Sequence, residues 1–192
     1  MAKRVFFSFH YQDVINFRAN VVRNHWLLKE DREAAGFFDA SIWEKTKKEG
    51  DLALKRLIHS GLDNTSNTCV LIGSETYKRP WVKYELFKSI DVGNNLFGIH
   101  INGIMSKDQK TKYLGKDPLD NLGLRFNDNG KVGYPIEFNG VNWVKYMEID
   151  PIKFSSAMQS KYWNKAFKLS DFYSTYKWYE DDGYNEFSNW VK

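Results

Sequence analysis

Thr68-Cys69-Val70-Leu71-Ile72-Gly73-Ser74 is the stretch on which the fold turns. Its apolar and β-branched run, closed by Gly-Ser, predicts a strand buried on both faces of a sheet. Upstream, Val5-Phe6-Phe7-Ser8-Phe9 reads the same way, with one serine inside the run. Between the two, residues 13–29 place Val14, Phe17, Val21 and Leu28 near one helical face, with Asp13 as a possible N-cap. Gly36-Phe37-Phe38-Asp39-Ala40 predicts a short second strand. Asp51 can cap a helix carrying Leu54, Leu57 and Ile58, which Gly61 stops. Downstream, Pro80 suits the first turn of a helix running to about Val92, and Gly93 ends it. Leu96-Phe97-Gly98-Ile99-His100-Ile101 makes a fourth strand. This β-α-β-α-β-α-β order predicts an α/β, flavodoxin-like parallel sheet, ordered 2-1-3-4-5, with helices on both faces.

The second half is less regular. Residues 103–149 read as an insertion, rich in Lys, Asp, Asn and Gly in its first part. Within it, Asn139-Gly140 is a two-residue turn signal that would pair Phe138 with Val141 and Ile136 with Trp143. The aromatic-rich tail from Ser155 predicts helix, with a short fifth strand near residues 167–169. The whole chain, 1–192, is expected to form one domain, its core about 1–102 plus parts of 150–192, with a C-terminal hairpin and helical embellishment.

At 192 residues the chain is long enough to bury a core without disulfides or metals. Aromatic residues form 17% of it, which argues against disorder. Cys69 is the single cysteine, so an intramolecular disulfide and a Cys-rich zinc site are excluded, and a cytoplasmic setting fits best. Apolar runs of about five residues are too short to span a membrane. The basic start before Val5 is followed by too short an apolar run for a signal peptide. A net charge of +4 could favour anionic ligands such as nucleotides but does not argue for nucleic acid.

Several chemistries are also excluded. The glycine-rich phosphate cradles and the G-x-S-x-G elbow are absent, and the four histidines show no close metal-ligand spacing. A phosphoacceptor Asp does not end the third strand, which argues against a receiver domain. In open α/β sheets ligands bind beyond the carboxyl ends of the strands, at the switch point between strands one and three. Phe9, His10, Tyr11 and Ser74 fall there, beside the helix opened by Pro80. On that helix Glu85 lies within the apolar arc set by Trp81, Val82 and Leu86, away from Lys83 and Lys88. Such a carboxylate has to be paired, protonated or functional. Phe9 could simply be core, Trp81 could pack helix to sheet, and His10 could bond a nearby carbonyl.

These residues carry a family resemblance. Val5-Phe6-Phe7-Ser8-Phe9-His10 is similar to the first-strand box of TIR domains. Ser74-x-Thr76-Tyr77-x-Arg79-x-Trp81-Val82-x-x-Glu85 resembles the stretch bearing the Trp and catalytic Glu of NAD-consuming TIRs. Arg18, Val22-Arg23-Asn24-His25-Trp26 and the ending Asp181-Asp182-Gly183-Tyr184-Asn185 look like the TIR proteins of the Thoeris antiphage defence system. The resemblance departs at His10 and Tyr11, where many NAD-cleaving TIRs carry basic residues, and in 36–50, which lacks the usual loop pattern. It implies an enzyme that, on infection, cleaves the nicotinamide–ribose bond of NAD and cyclises the ADP-ribose. The product would be a diffusible signal for a partner effector, ThsA. It further implies Glu85 as the catalytic carboxylate, Phe9, His10, Tyr11, Ser74 and Trp81 around the substrate, TIR self-association, and no metal or cofactor beyond NAD as substrate. A non-catalytic TIR assembly module is the alternative, and a flavodoxin-like small-molecule binder is a third.

Overall fold

The computed structural model describes residues 3–38 and 40–192; Met1, Ala2 and Asp39 lie outside it. The chain runs β1 (Lys3–Phe9), α1 (Tyr11–Ile15), α2 (Arg18–Leu27), β2 (Arg32–Ala35), α3 (Ala40–Glu49), α4 (Asp51–Leu62) and β3 (Asn67–Ile72). It continues with α5 (Pro80–Asp91), β4 (Asn95–His100), α6 (Pro118–Asn121), β5 (Leu122–Phe126), β6 (Val132–Phe138) and β7 (Trp143–Lys145). β8 (Ile152–Lys153), β9 (Ala166–Lys168), β10 (Thr175–Lys177) and α7 (Gly183–Trp190) complete it.

One sheet is wholly parallel, in the order β2-β1-β3-β4-β10. Every residue of β3 is buried, as its apolar run requires. The expected 2-1-3-4-5 order holds, but two of its strands arise elsewhere. The second strand is Arg32–Ala35, ahead of the expected 36–40, where Gly36 (φ +84°) instead turns the chain away and Asp39 lies outside the described residues. The fifth is Thr175–Lys177, because Ala166–Lys168 pairs antiparallel with β5 in a second sheet. Gly98 on β4 makes room for that edge: a Cβ there would lie 2.8 Å from Thr175 Oγ1.

The helices differ from expectation in similar ways. Residues 13–29 form two helices, broken at Phe17, which adopts a left-handed conformation with φ 66°. Asp13 lies inside α1 and is buried, so it is no N-cap. Gly61 does not end α4; it lets the helix pass Phe6 and Phe38, whose ring atoms would lie 3.0 and 2.8 Å from a Cβ. The aromatic tail is helical only in α7 and two single 3-10 turns.

The second sheet, β7-β6-β5-β9 with β8 beside β6, is antiparallel and includes the expected hairpin. Its register is shifted by two residues: Phe138 faces Trp143 and Ile136 faces Lys145. The reason is a four-residue loop in which Asn139 Oδ1 accepts from the backbone N–H groups of Val141 and Asn142.

Alternation along β1 sends Val5 and Phe7 to one face, against α2 and α7, where Trp26 and Phe187 fill the core. Phe6 and Ser8 point to the other face, toward α4 and α5. The second sheet lies on the far side of α5: Leu122, Leu124 and Phe126 join Val82, Leu86 and Phe87 in one cluster. α5 is therefore buried almost all round, which explains why Lys83, expected on a solvated face, pairs with Glu137 of β6 at 2.6 Å. Among the described residues, no helix is long and apolar enough to cross a membrane.

Candidate active site

A single serine interrupts the apolar run of β1. Ser8 is fully buried, and its hydroxyl needs a partner. It donates to Glu85 Oε2 at 2.6 Å, tying the middle of α5 to the end of β1. Glu85 is itself only 6% exposed. Burial pushes its carboxyl up to about 8, against the smaller opposing effect of the Ser8 hydrogen bond. At neutral pH this burial favours the protonated acid.

Glu85 lines a cavity of about 370 Å³. Phe9, His10 and Tyr11 enter it from the end of β1, and Trp81 and Val82 from the first turn of α5. Of the six residues expected at a substrate site, five meet around this cavity and Ser74 does not. The Ser74 hydroxyl bonds the Tyr113 carbonyl at 3.2 Å, away from the lining residues.

The switch-point crevice between β1 and β3 is filled. Residues 103–117 cross it, and Gly115 packs so closely on Gly73 that a Cβ would sit 2.0 Å from the Gly73 carbonyl oxygen. The Asp13 carboxyl group occupies the space beside Gly73 that a Cβ would need. Arg18, 1% exposed, pins the crossing segment through Nε to the Ile104 carbonyl at 2.8 Å and Nη2 to the Lys110 carbonyl at 2.6 Å. The cavity opens instead on the β2 side of β1, where Gly36 and Phe38 follow β2 and Trp43, Glu44 and Lys47 come from α3.

That third wall was missed in the sequence. α3 offers only Ile42 and Trp43 as large apolar residues, too few for a periodic stripe. Trp43 stacks on Phe38 at 6.2 Å and meets Trp81 edge-on at 6.4 Å, which closes an aromatic box on α5. Ser8 was also overlooked, although a lone hydroxyl in a doubly buried strand was its signal. The imidazole of His10 is held below its ordinary pKa by burial first, and then by the charges of Arg79 and Lys112. Near neutral pH it presents a neutral ring.

A parallel sheet of this order with helices on both faces defines a flavodoxin-like α/β domain, here with a glutamate on the helix after β3 reaching a polar residue of β1. The family model described as Thoeris protein ThsB, TIR-like domain, matches residues 6–106. Over 191 residues, spanning the full length of both chains, the sequence is 52% identical to a Bacillus cereus (strain MSX-D12) protein named "Putative cyclic ADP-D-ribose synthase ThsB1". The chain belongs to the Thoeris ThsB family.

Proposed function

We propose that this chain is an antiphage-defence enzyme that breaks the nicotinamide–ribose bond of NAD and closes the ADP-ribose into a cyclic signal for the effector ThsA. Support comes from the family, from the name of its relative, and above all from Glu85: a buried carboxyl, held by Ser8, walling a cavity lined with aromatic rings.

The chemistry follows from the state of that carboxyl. Substrate brings a cationic nicotinamide ring into the cavity. A positive charge beside Glu85 favours its ionised form, so binding releases the resting proton to solvent. The C1–N bond to nicotinamide then breaks, its electron pair leaves on the nitrogen, and positive charge passes to the ribose. Ionised Glu85, fixed by the Ser8 hydroxyl, stabilises that charge without reorganising. A hydroxyl of the adenosine ribose attacks the same carbon and gives its proton to Glu85, restoring the acid. One proton is released over the cycle, as the overall equation requires. The aromatic walls favour this attack over hydrolysis by excluding water.

Mass spectrometry of nucleotides from infected cells tests the reading. Cells expressing the wild-type chain should accumulate nicotinamide and a cyclic ADP-ribose isomer. The Glu85→Gln variant should make about 10²–10³-fold less, the usual cost of a lost preorganised electrostatic contact. Wild-type amounts of signal from folded Glu85→Gln would sink the catalytic assignment and favour an assembly module instead.

A further inference from the structure

NAD carries a diphosphate, yet the cavity's β1 wall offers it no cation. His10 is the residue after β1, and its ring is neutral near pH 7 because burial and neighbouring charges hold its pKa down. Tyr11 follows it. The negative charge has to be met from other elements.

Depth decides which. The cavity, at about 370 Å³, lies at the small end of ligand pockets, roughly 300–1,000 Å³. It suits the nicotinamide riboside half of a dinucleotide, with the diphosphate leaving through the mouth. Glu85 is deeply buried, whereas Arg79 is half-buried and Lys47 exposed, so the two cations that line the cavity sit toward its rim. Both line the same cavity. Trp43 and Trp81 join α3 to the start of α5. Lys47 comes one turn after Trp43, and Arg79 two residues before Trp81. Among the described residues neither cation makes an ion pair. Arg79 Nε is buried with no hydrogen-bond partner among them.

Arg79 is also the N-cap of α5, and its side chain makes no capping bond. Pro80 has no N–H to offer, but those of Trp81 and Val82 start the helix beside the same cavity. A planar guanidinium with several donors suits two adjacent phosphates, and Lys47 adds a mobile point charge.

We propose that Arg79 and Lys47, from α5 and α3, form the diphosphate subsite of this cavity, in place of basic residues after β1. The assignment rests on the NAD reading above and adds how the adenosine half is held. It sorts ligands by phosphate content: NAD engages both cations, whereas nicotinamide riboside, with no phosphate, reaches only the inner cavity.

Calorimetric titration of the full chain with NAD and with nicotinamide riboside tests it. Arg79→Gln and Lys47→Gln should each weaken NAD binding by about 10- to 100-fold, the usual range for a lost charge-assisted hydrogen bond. Nicotinamide riboside should stay within about twofold of wild type. Lys45→Gln, on the same helix but outside the lining, should change neither. Arg79→Lys keeps the charge and should restore part of the loss, and it replaces Arg79→Gln if that variant misfolds. Equal losses for both ligands, or unchanged NAD binding by both Gln variants, would overturn the subsite while leaving the NAD reading standing. A wild-type chain that binds neither ligand would overturn both.

Discussion

Glu85 couples function to stability with opposite signs. In the unfolded chain its carboxyl titrates at the ordinary 4.5; in the folded chain it titrates at about 8. Between those values the folded state holds a proton that the unfolded state has released. Stability from this group is therefore greatest below about pH 4.5, falls as pH rises, and levels off above about 8. Glu85→Gln keeps the shape and the contact with Ser8 but cannot ionise. Within the window, the variant should gain on wild type by up to about 1.4 kcal/mol per pH unit. Urea denaturation of both proteins at pH 5, 6.5 and 8 should show a stability gap that widens with pH, while product formation collapses at all three. A gap that stays flat would mean that Glu85 is ionised in the resting fold, paired more strongly than its bond to Ser8 allows. This is the usual conflict between an active group and the fold that buries it.

At the scale of elements, α4 shapes the cavity without lining it. Gly61 sits in the helix, where alanine would ordinarily gain about 1 kcal/mol. Here a Cβ would lie 2.8 Å from the Phe38 ring and 3.0 Å from that of Phe6. Phe6 is fully buried and cannot move, but Phe38 is half-buried and borders the cavity. Gly61→Ala should push Phe38 inward. Tm should fall only slightly, as helix propensity offsets strain, while NAD binding weakens severalfold. Unaltered binding with a higher Tm would show that the box has slack. Which elements could be read from sequence follows from similar local reasons. β1, β3 and α5 announce themselves by doubly buried runs and by Pro80, and Glu85 by its place among Trp81, Val82 and Leu86. β2 and β10 do not: Arg-Glu-Ala-Ala is poor in strand formers and Thr-Tyr-Lys is only three residues long, so pairing with β1 and β4 decides them. Ser74 was misplaced because the switch-point rule assumes an open crevice, and no local pattern in 103–117 reveals that this segment closes it.

At the scale of the molecule, the parallel sheet does not end where the TIR-like match ends at residue 106. β10 forms its edge, and Phe187, Trp190 and Trp178 fill the core on the α2 face. On the other face Leu122, Leu124, Phe126 and Leu169 cover α5, and Tyr146 lies 4.9 Å from the Phe87 ring. Arg18 ties α2 to the segment that leads into this second layer. Each large apolar side chain buried in this way is worth roughly 1.5–3 kcal/mol. Losing seven or eight, about 10–24 kcal/mol together, matches or exceeds the net stability of an ordinary domain, about 5–15 kcal/mol. Residues 1–192 should therefore unfold as one cooperative unit, and a chain cut after residue 106 should not hold its sheet. In thermal unfolding followed by far-UV and near-UV circular dichroism, the full chain should give coincident single transitions. The 1–106 fragment should give no sharp transition, bind a hydrophobic dye, and fail to bind NAD. A fragment that melts cooperatively would show instead that the second sheet and tail are additions to an independent core. In that case α5, and Glu85 with it, would have to be held by α4 and by the parallel strands β1, β3 and β4, without the second sheet.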